Sequence, residues 1–191
     1  DLESAWAAGR VFLLLGEAGM GKTRLMQELA QRRPAATLYV AARPGDAGVP
    51  FGLLVRLLRA ARERSSARAD GATRRELARL LPELDTAESG ATEGQGSSLQ
   101  RAVSWQLGAL ADGGCPAILL DDLHFSDLAS LEMLQALMNA DAASQLDWGL
   151  AQRPAEGDAG SLCAALAESQ RLHQHTLAPL NESAMRELVN S

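Results

Sequence analysis

Short apolar runs alternate along the chain with longer stretches in which apolar residues recur every three to four positions. The runs VFLLL and AILL are typical of strands buried on both faces. The amphipathic stretches between them predict helices with one buried side. Five strands separated by helices indicate an α/β domain with a parallel sheet covered on both faces. The predicted strands are 11–15, 37–41, 117–120, 148–152 and 172–177.

Glycine, proline and polar capping residues set the predicted helix boundaries. Pro82 ends a helix that we place at Thr73–Leu81, and Asp127 is a predicted N-cap. The segment 42–50 carries two prolines and two glycines and is predicted to be loop, and 85–98 is predicted to be a mobile surface loop. The other predicted helices are 2–8, 22–33, 51–64, 99–110, 128–138, 161–169 and 181–189.

Length and composition limit the class of protein. With 191 residues, 47% of them hydrophobic and 22% charged, the chain suits one soluble α/β domain. Its formal net charge of −6 argues against a nucleic-acid-binding face. Nine arginines do fall between Arg43 and Arg79, as a local basic patch or as ordinary solvated helix faces.

The cysteines and the chain ends bear on cellular context. Cys115 and Cys163 are too few for a disulfide framework or a metal site, and they suit a reducing cytoplasm. No apolar run approaches the roughly 18 residues of a membrane span. The chain opens without methionine and stops inside a predicted helix, so we expect 1–191 to be one domain of a longer polypeptide.

The stretch from Val11 to Thr23 carries the strongest functional pattern. A predicted strand enters GEAGMGKT, which matches G-x-x-x-x-G-K-[ST], and a predicted helix follows, as in phosphate-binding loops. Gly16, Gly19 and Gly21 allow a tight turn of backbone N–H groups around phosphates. Lys22 is the only lysine beside 17 arginines, and it supplies a compact charge for terminal phosphates. The predicted nucleotide-binding residues are Gly16, Glu17, Ala18, Gly19, Met20, Gly21, Lys22, Thr23 and Arg24.

Two adjacent acids follow the apolar run AILL. Asp121 and Asp122 stand at the carboxyl end of that predicted strand, where parallel sheets bind ligands. Such acids are costly to bury without a positive partner, and magnesium on a nucleotide would supply one. We predict that Asp121 and Thr23 bind magnesium and that Asp122 polarises an attacking water. The structural alternative is a strand end followed by a helix cap.

Arg153 and the three histidines are further candidate functional residues. Arg153 follows a predicted strand, where it either reads a terminal phosphate or is a surface arginine. His124 would contact nucleotide or a partner, although a structural role is the simpler interpretation. His173 and His175 share one face of a strand, but without a third ligand nearby we do not expect zinc.

The chain resembles the nucleotide-binding domain of STAND-class P-loop ATPases, close to the AAA-type modules that open large LuxR-type bacterial transcriptional regulators. The resemblance implies an ASCE-type P-loop NTPase, a three-layer α-β-α sandwich whose five-stranded parallel sheet has the order 5-1-4-3-2. Stretches 16–23 and 119–127 are generic to ATPases of this broad class. Three further stretches narrow the assignment: 42–60, 151–156 and 177–189.

The same resemblance implies roles and partners. ATP or ADP and Mg²⁺ would be the cofactors. Lys22 and Thr23 would bind the phosphates and magnesium, and Asp121 would be the Walker B acid. Asp122 would be the hydrolytic acid, and Arg153 would sense the nucleotide state. Partners would include the protein's own C-terminal domains and other copies of the chain, with DNA contacted only through a domain outside 1–191 and no membrane.

The sequence is compatible with three functions. The first is a slowly hydrolysing ATP switch whose output is transcription, and the second is a steady-turnover AAA-type ATPase that does mechanical or loading work. The third is a small-molecule kinase or a GTPase, although a chain whose only lysine is Lys22 cannot hold an Asn-Lys-x-Asp guanine reader. The G-R-E tripeptide and winged helix usual in the resembled modules are not part of this sequence, and no residue identifies the base.

Overall fold

The computed structural model describes residues 11–84, 99–140, 146–154, 159–168 and 172–178. Its strands form one sheet in the order β2-β3-β4-β1-β5, and all neighbouring strands are parallel. This arrangement confirms the predicted α/β class and, counted from the other edge, the order 5-1-4-3-2. The strands are β1 (Val11–Leu15), β2 (Thr37–Ala41), β3 (Ala117–Asp121), β4 (Asp147–Gln152) and β5 (Leu172–Thr176).

Helices connect the strands and lie on both faces of the sheet. Short 3₁₀ turns occur at Asp46–Gly48, Pro82–Leu84 and Leu123–Phe125. The predicted helices at 2–8 and 181–189 and the predicted loop at 85–98 lie outside the described residues. The described helices are α1 (Lys22–Arg32), α2 (Gly52–Arg64), α3 (Gly71–Ala78), α4 (Leu99–Asp112), α5 (Leu128–Asn139) and α6 (Ala159–Glu168).

Two hydrophobic cores lie between the sheet and its helices, one on each face, because successive side chains of a strand point to opposite faces. Phe12 and Leu14 of β1 face α1, where they pack with Met26. Val11 and Leu13 face the larger core, which α2, α4, α5 and α6 cover. Helix α1 is therefore clamped to one side of the sheet by a small core of its own, directly after the phosphate-loop motif.

Gly149 in the central strand β4 allows its neighbouring strands to pack closely. A Cβ atom built on Gly149 would collide with the Phe12 ring and with Leu119. Phe12 belongs to β1 and Leu119 to β3, the two strands that flank β4. The missing side chain thus leaves room for the Phe12 ring in the small core beneath α1.

Several helix ends differ from the predicted ones by one to three residues, and two of these differences have a clear local cause. Helix α3 begins at Gly71 rather than Thr73, because the Asp70 side chain accepts the Thr73 N–H as an N-cap, and it ends at Ala78. Helix α2 begins one residue later than predicted, because Phe51 has a positive φ of 62° and lies outside the helix. Position 51 is unusual, since a bulky residue rarely adopts the left-handed conformation.

A buried carboxylate ties α2 to α5. Asp127 Oδ1 accepts the Ser130 N–H at 2.8 Å, so Asp127 is the N-cap of α5, as the sequence predicts. The same oxygen accepts the Phe51 N–H at 2.7 Å, and Ser130 Oγ accepts the Leu54 N–H at 3.1 Å. One Asp–Ser pair therefore satisfies backbone donors at the start of two helices, which fixes the strained Phe51.

Candidate functional site

The predicted site residues meet at the carboxyl edge of the sheet. The phosphate-loop motif follows β1, Asp121 ends β3, and Arg153 follows β4. Because β4 lies between β1 and β3, the ends of those two strands are about 10 Å apart. This edge is where open α/β sheets bind ligands.

Left-handed glycines shape the loop from Gly16 to Gly21. Gly19 has φ 81° and Gly21 has φ 82°, a region that other residues rarely adopt. Apart from the chain neighbours, no atom of the described residues lies within 4 Å of a Cβ built at either position, so the positive φ, rather than crowding, requires glycine there. Gly16 is different, because a Cβ on it would lie 3.3 Å from Leu177 Cβ.

Lys22 is the first residue of α1 and is 6% exposed. Its Nζ donates to the Gly16 carbonyl at 2.7 Å and to the Glu17 carbonyl at 2.9 Å. The main chain of the loop thus holds the ammonium group at the start of the helix. A lysine has three N–H donors, so this geometry leaves one for an anion.

The helix start and the loop tip offer further polar groups. Thr23 and Arg24 are exposed in the first turn of α1, where backbone N–H groups have no acceptor within the helix. Glu17 and Ala18 are also exposed, and Met20 is half-buried. A helix N-terminus with exposed amides and a nearby ammonium group favours a negatively charged ligand.

Asp121 is fully buried, and both of its carboxylate oxygens accept hydrogen bonds. The Tyr39 hydroxyl donates to Oδ2 at 2.9 Å, and the Asp122 backbone N–H donates to Oδ1 at 2.8 Å. These bonds fix the plane of the carboxylate. Each oxygen keeps a second lone pair with which to accept a water bound to a cation.

Asp122 adopts a left-handed conformation with φ 54°, directly after the end of β3. Burial raises the pKa of the Asp122 carboxyl, and the neighbouring charge of Asp121 raises it further. The charges of His124, Lys22 and Arg153 act in the opposite direction on this pKa. Lys22 and Arg153 therefore contribute to the electrostatic environment of Asp122.

His124 and Arg153 lie around Phe125. The side chain of His124 is only 2% exposed, its Nδ1 is 4.0 Å from Asp122 Oδ1, and its ring centroid is 4.1 Å from that of Phe125. Arg153 Cζ lies 5.9 Å from the Phe125 centroid, a cation–π contact. The position of Arg153 at the end of β4 agrees with the sequence-based expectation, whereas its reading of a phosphate stays a prediction.

Two residues at this edge were missed by sequence reasoning. Tyr39 contacts Asp121, yet Tyr39 stands 82 positions earlier, and only strand pairing brings the two together. Gln152 ends β4, and its buried Oε1 accepts no hydrogen bond from the described part of the chain. A polar residue ending a buried strand was the available signal for Gln152, and no local pattern marks Tyr39.

Two of the histidines belong to β5. His173 pairs with Phe12 and His175 with Leu14, on the edge strand of the sheet. Within the described ranges, no group of three or more His, Cys, Asp or Glu side chains is arranged to hold a metal ion. None of the described helices combines the length and the apolar composition that crossing a membrane requires.

The residues at this edge fit a nucleotide with magnesium. The open space beside Gly19 and Gly21 lets phosphate oxygens approach backbone amides, and the Lys22 ammonium group lies at the base of the same loop. The buried Asp121 carboxylate is a hard oxygen donor of the kind that Mg²⁺ prefers. The donor set therefore suits a magnesium-bound polyphosphate rather than a softer metal.

Comparison with known proteins bears on the family of this chain. A solved structure titled "Structure of ATP binding subunit of ABC transporter" is 15% identical with a TM-score of 0.44, covering 95% of this chain and 82% of that one. At this TM-score, the similarity supports no conclusion about the fold or the function of this chain. No curated protein shows a significant match. The family model described as AAA ATPase domain, however, matches residues 2–148. Since that match spans well over half of the chain, the chain belongs to the AAA ATPase domain family, whose members are nucleotide-binding ATPases.

Proposed function

We propose that this domain is an ATP-controlled switch, with magnesium as cofactor and slow hydrolysis, in a signal-transduction protein of the STAND class. The observation that carries the proposal is the shared site at the carboxyl edge. The phosphate loop, the acid pair and Arg153 converge there, and the pKa of Asp122 is sensitive to both Lys22 and Arg153. Output through transcription is the part of the proposal that rests on the resemblance to LuxR-type regulators.

Each residue has a defined task in this proposal. The Lys22 ammonium group and the amides after Gly19 bind phosphate oxygens, and Asp121 with Thr23 holds the magnesium. Asp122 accepts a proton from the attacking water, and burial makes this carboxylate more basic than an exposed aspartate. Bound magnesium would neutralise charge that develops on the phosphates. Arg153 carries a positive charge to the same edge.

A switch needs a segment that responds to the site, and 42–51 is a good candidate. The Ala42 N–H donates to the Asp121 carbonyl at 2.9 Å, and the Phe51 N–H donates to Asp127 at 2.7 Å. The segment is thus bonded to both ends of the acid-bearing loop. Arg56 closes it further through two hydrogen bonds to Asp46, at 2.8 and 2.9 Å. A shift of the 121–127 loop would be transmitted to α2 through these bonds.

Nucleotide titration tests the binding part of the proposal. Lys22→Ala should weaken ATP affinity about 10-fold or more, because a hydrogen bond to a charged group contributes about 1.5–3 kcal/mol. Arg32→Ala is a matched control, since it removes an exposed charge at the far end of the same helix. Equal ATP affinity of the wild type and the Lys22 variant would refute the phosphate-loop assignment.

Hydrolysis measurements test the switch part. Asp122→Asn should keep ATP affinity within about twofold and lose turnover by about 100-fold, since general-base contributions are commonly 10²–10⁴-fold. A switch holds ATP for many seconds per turnover, whereas a steady-turnover motor releases product continuously. Sustained rapid hydrolysis by the 191-residue chain would favour the motor, and normal hydrolysis by the Asp122 variant would place the base elsewhere.

A further inference from the structure

We infer that Tyr39 is a positioning residue for Asp121, which holds the magnesium-binding carboxylate in one orientation and links it to α1. The inference rests on the proposed function, because it assigns Asp121 to magnesium. Tyr39 is the only tyrosine of the chain. Its hydroxyl lies 2.9 Å from Asp121 Oδ2, which is hydrogen-bonding distance.

Strand register explains how this contact forms. Ala41 of β2 pairs with Asp121 of β3, and Tyr39 pairs with Leu119. Residues two apart in a strand share a face, so Tyr39 and Asp121 are diagonal neighbours on the α1 side of the sheet. An aromatic side chain is long enough to span that diagonal, and a tyrosine places its donor at the far end.

The hydroxyl completes the set of bonds that orients Asp121. Oδ1 is already bonded to the Asp122 N–H, a contact between adjacent residues that by itself allows the carboxylate to rotate. The bond from Tyr39 to Oδ2 removes that freedom. Because Asp121 is fully buried, solvent cannot replace the Tyr39 hydroxyl in this role.

Tyr39 is itself held from the side of α1. The Tyr39 ring packs against the small core that contains Met26 of α1. Burial and the Asp121 carboxylate raise the pKa of the Tyr39 hydroxyl, and the Gln27 side chain of α1 acts on this pKa in the opposite direction. Tyr39 therefore joins the helix that starts with Lys22 to the opposite wall of the site, and a movement of α1 would reach the metal-binding acid through Tyr39.

A purely space-filling tyrosine would behave differently from a positioning one. Tyr39→Phe keeps the ring and removes only the hydroxyl. Thr37→Val is a matched control, because it removes a hydroxyl from the same strand and the same face, and Thr37 Oγ1 is hydrogen-bonded to nothing in the described part of the chain. The two variants thus lose the same group, one in contact with Asp121 and one remote from it.

The measured quantity is the ratio of ATP affinity with Mg²⁺ to ATP affinity without it, on the 191-residue chain. Tyr39→Phe should lower this ratio about tenfold while the affinity without Mg²⁺ stays unchanged, because a hydrogen bond to a charged group is lost. Thr37→Val should leave the ratio at the wild-type value. In an Asp121→Asn background, Tyr39→Phe should have no further effect on it. Gln27→Ala, an exposed change that leaves the fold intact, should lower the ratio in the same direction by about twofold.

Each outcome tests either the positioning role of Tyr39 or the proposed function. A Tyr39→Phe ratio equal to that of the wild type refutes the positioning role but leaves the proposed function standing. If both affinities fall together, the hydroxyl is structural and the inference is wrong. If the wild type itself shows no gain from Mg²⁺, the proposed function fails, and the role of Tyr39 fails with it. If Tyr39→Phe does not fold, an unchanged ratio in Gln27→Ala overturns the inference.

Discussion

Replacing Asp127 by alanine removes a buried carboxylate that caps two helices at once. Oδ1 accepts the N–H groups of Ser130 and Phe51 at 2.8 and 2.7 Å, and Oδ2 accepts the Ser130 hydroxyl at 2.7 Å. Asp127 is 3% exposed, so water cannot take over these bonds. The substitution therefore leaves two backbone donors and one hydroxyl without their acceptor.

The loss of stability in Asp127→Ala can be estimated from these three hydrogen bonds. Loss of an N-cap costs about 1 kcal/mol. The Phe51 N–H and the Ser130 hydroxyl each lose a hydrogen bond to a charged acceptor, a class worth about 1.5–3 kcal/mol per bond in favourable cases. Since the bonds share one carboxylate and are not additive, we expect Asp127→Ala to lower the free energy of unfolding by about 3–5 kcal/mol.

Urea denaturation followed by circular dichroism measures this loss. Asp70→Ala is the matched control, because Asp70 is also a helix N-cap but is exposed and accepts only locally, from Thr73. Asp127→Asn should fall between the wild type and Asp127→Ala, since its remaining oxygen still accepts backbone N–H groups. If Asp127→Ala destabilises the chain no more than Asp70→Ala does, the bond from Phe51 contributes nothing and the tie between α2 and α5 is wrong.

Three further predictions concern the sheet and its edge. Gly149→Ala should destabilise the chain by about 3 kcal/mol in urea denaturation because of overpacking against the Phe12 ring, whereas Gly108→Ala, which places its Cβ in open space within a helix, should stabilise it by about 0.5–1 kcal/mol. Burial raises the pKa of Asp147, so the folded state binds the proton more tightly and stability falls as pH rises through the window above the ordinary value near 4. Asp147→Asn should therefore be more stable than the wild type at neutral pH, and this gain should vanish below that value in a pH series of denaturation curves. Arg153→Ala should slow single-turnover ATP hydrolysis about 10-fold or more with little change in ATP affinity, and equal rates would make Arg153 a surface residue.

Local sequence determined most of the secondary structure and the kind of chemistry. Apolar runs marked the buried strands, because a strand covered on both faces has no polar positions. The pattern GEAGMGKT predicted a phosphate loop, since backbone approach to phosphates requires glycine and a nearby lysine. Asp127 was identified as an N-cap, because that bond joins residues three positions apart.

The predicted helix ends were less accurate where the residue before the helix has an unusual backbone conformation. Phe51 continues the apolar periodicity of α2, so the pattern placed it inside the helix, although its φ of 62° excludes it. That conformation is stabilised by Asp127, which lies 76 positions away. No local pattern can report a bond of that range.

Which residues surround and orient the site residues depended on the tertiary structure alone. Sequence supplied Lys22 and the acid pair, but the parallel register of β2 and β3 is what sets Tyr39 against Asp121. The register of β1 and β4 likewise places Gly149 beneath the Phe12 ring. Helix and strand signals repeat every few residues and can be read in the chain, whereas contacts between strands depend on which segments pair. That choice is made by packing the whole sheet, and it decided how the acid of this ATPase domain is held.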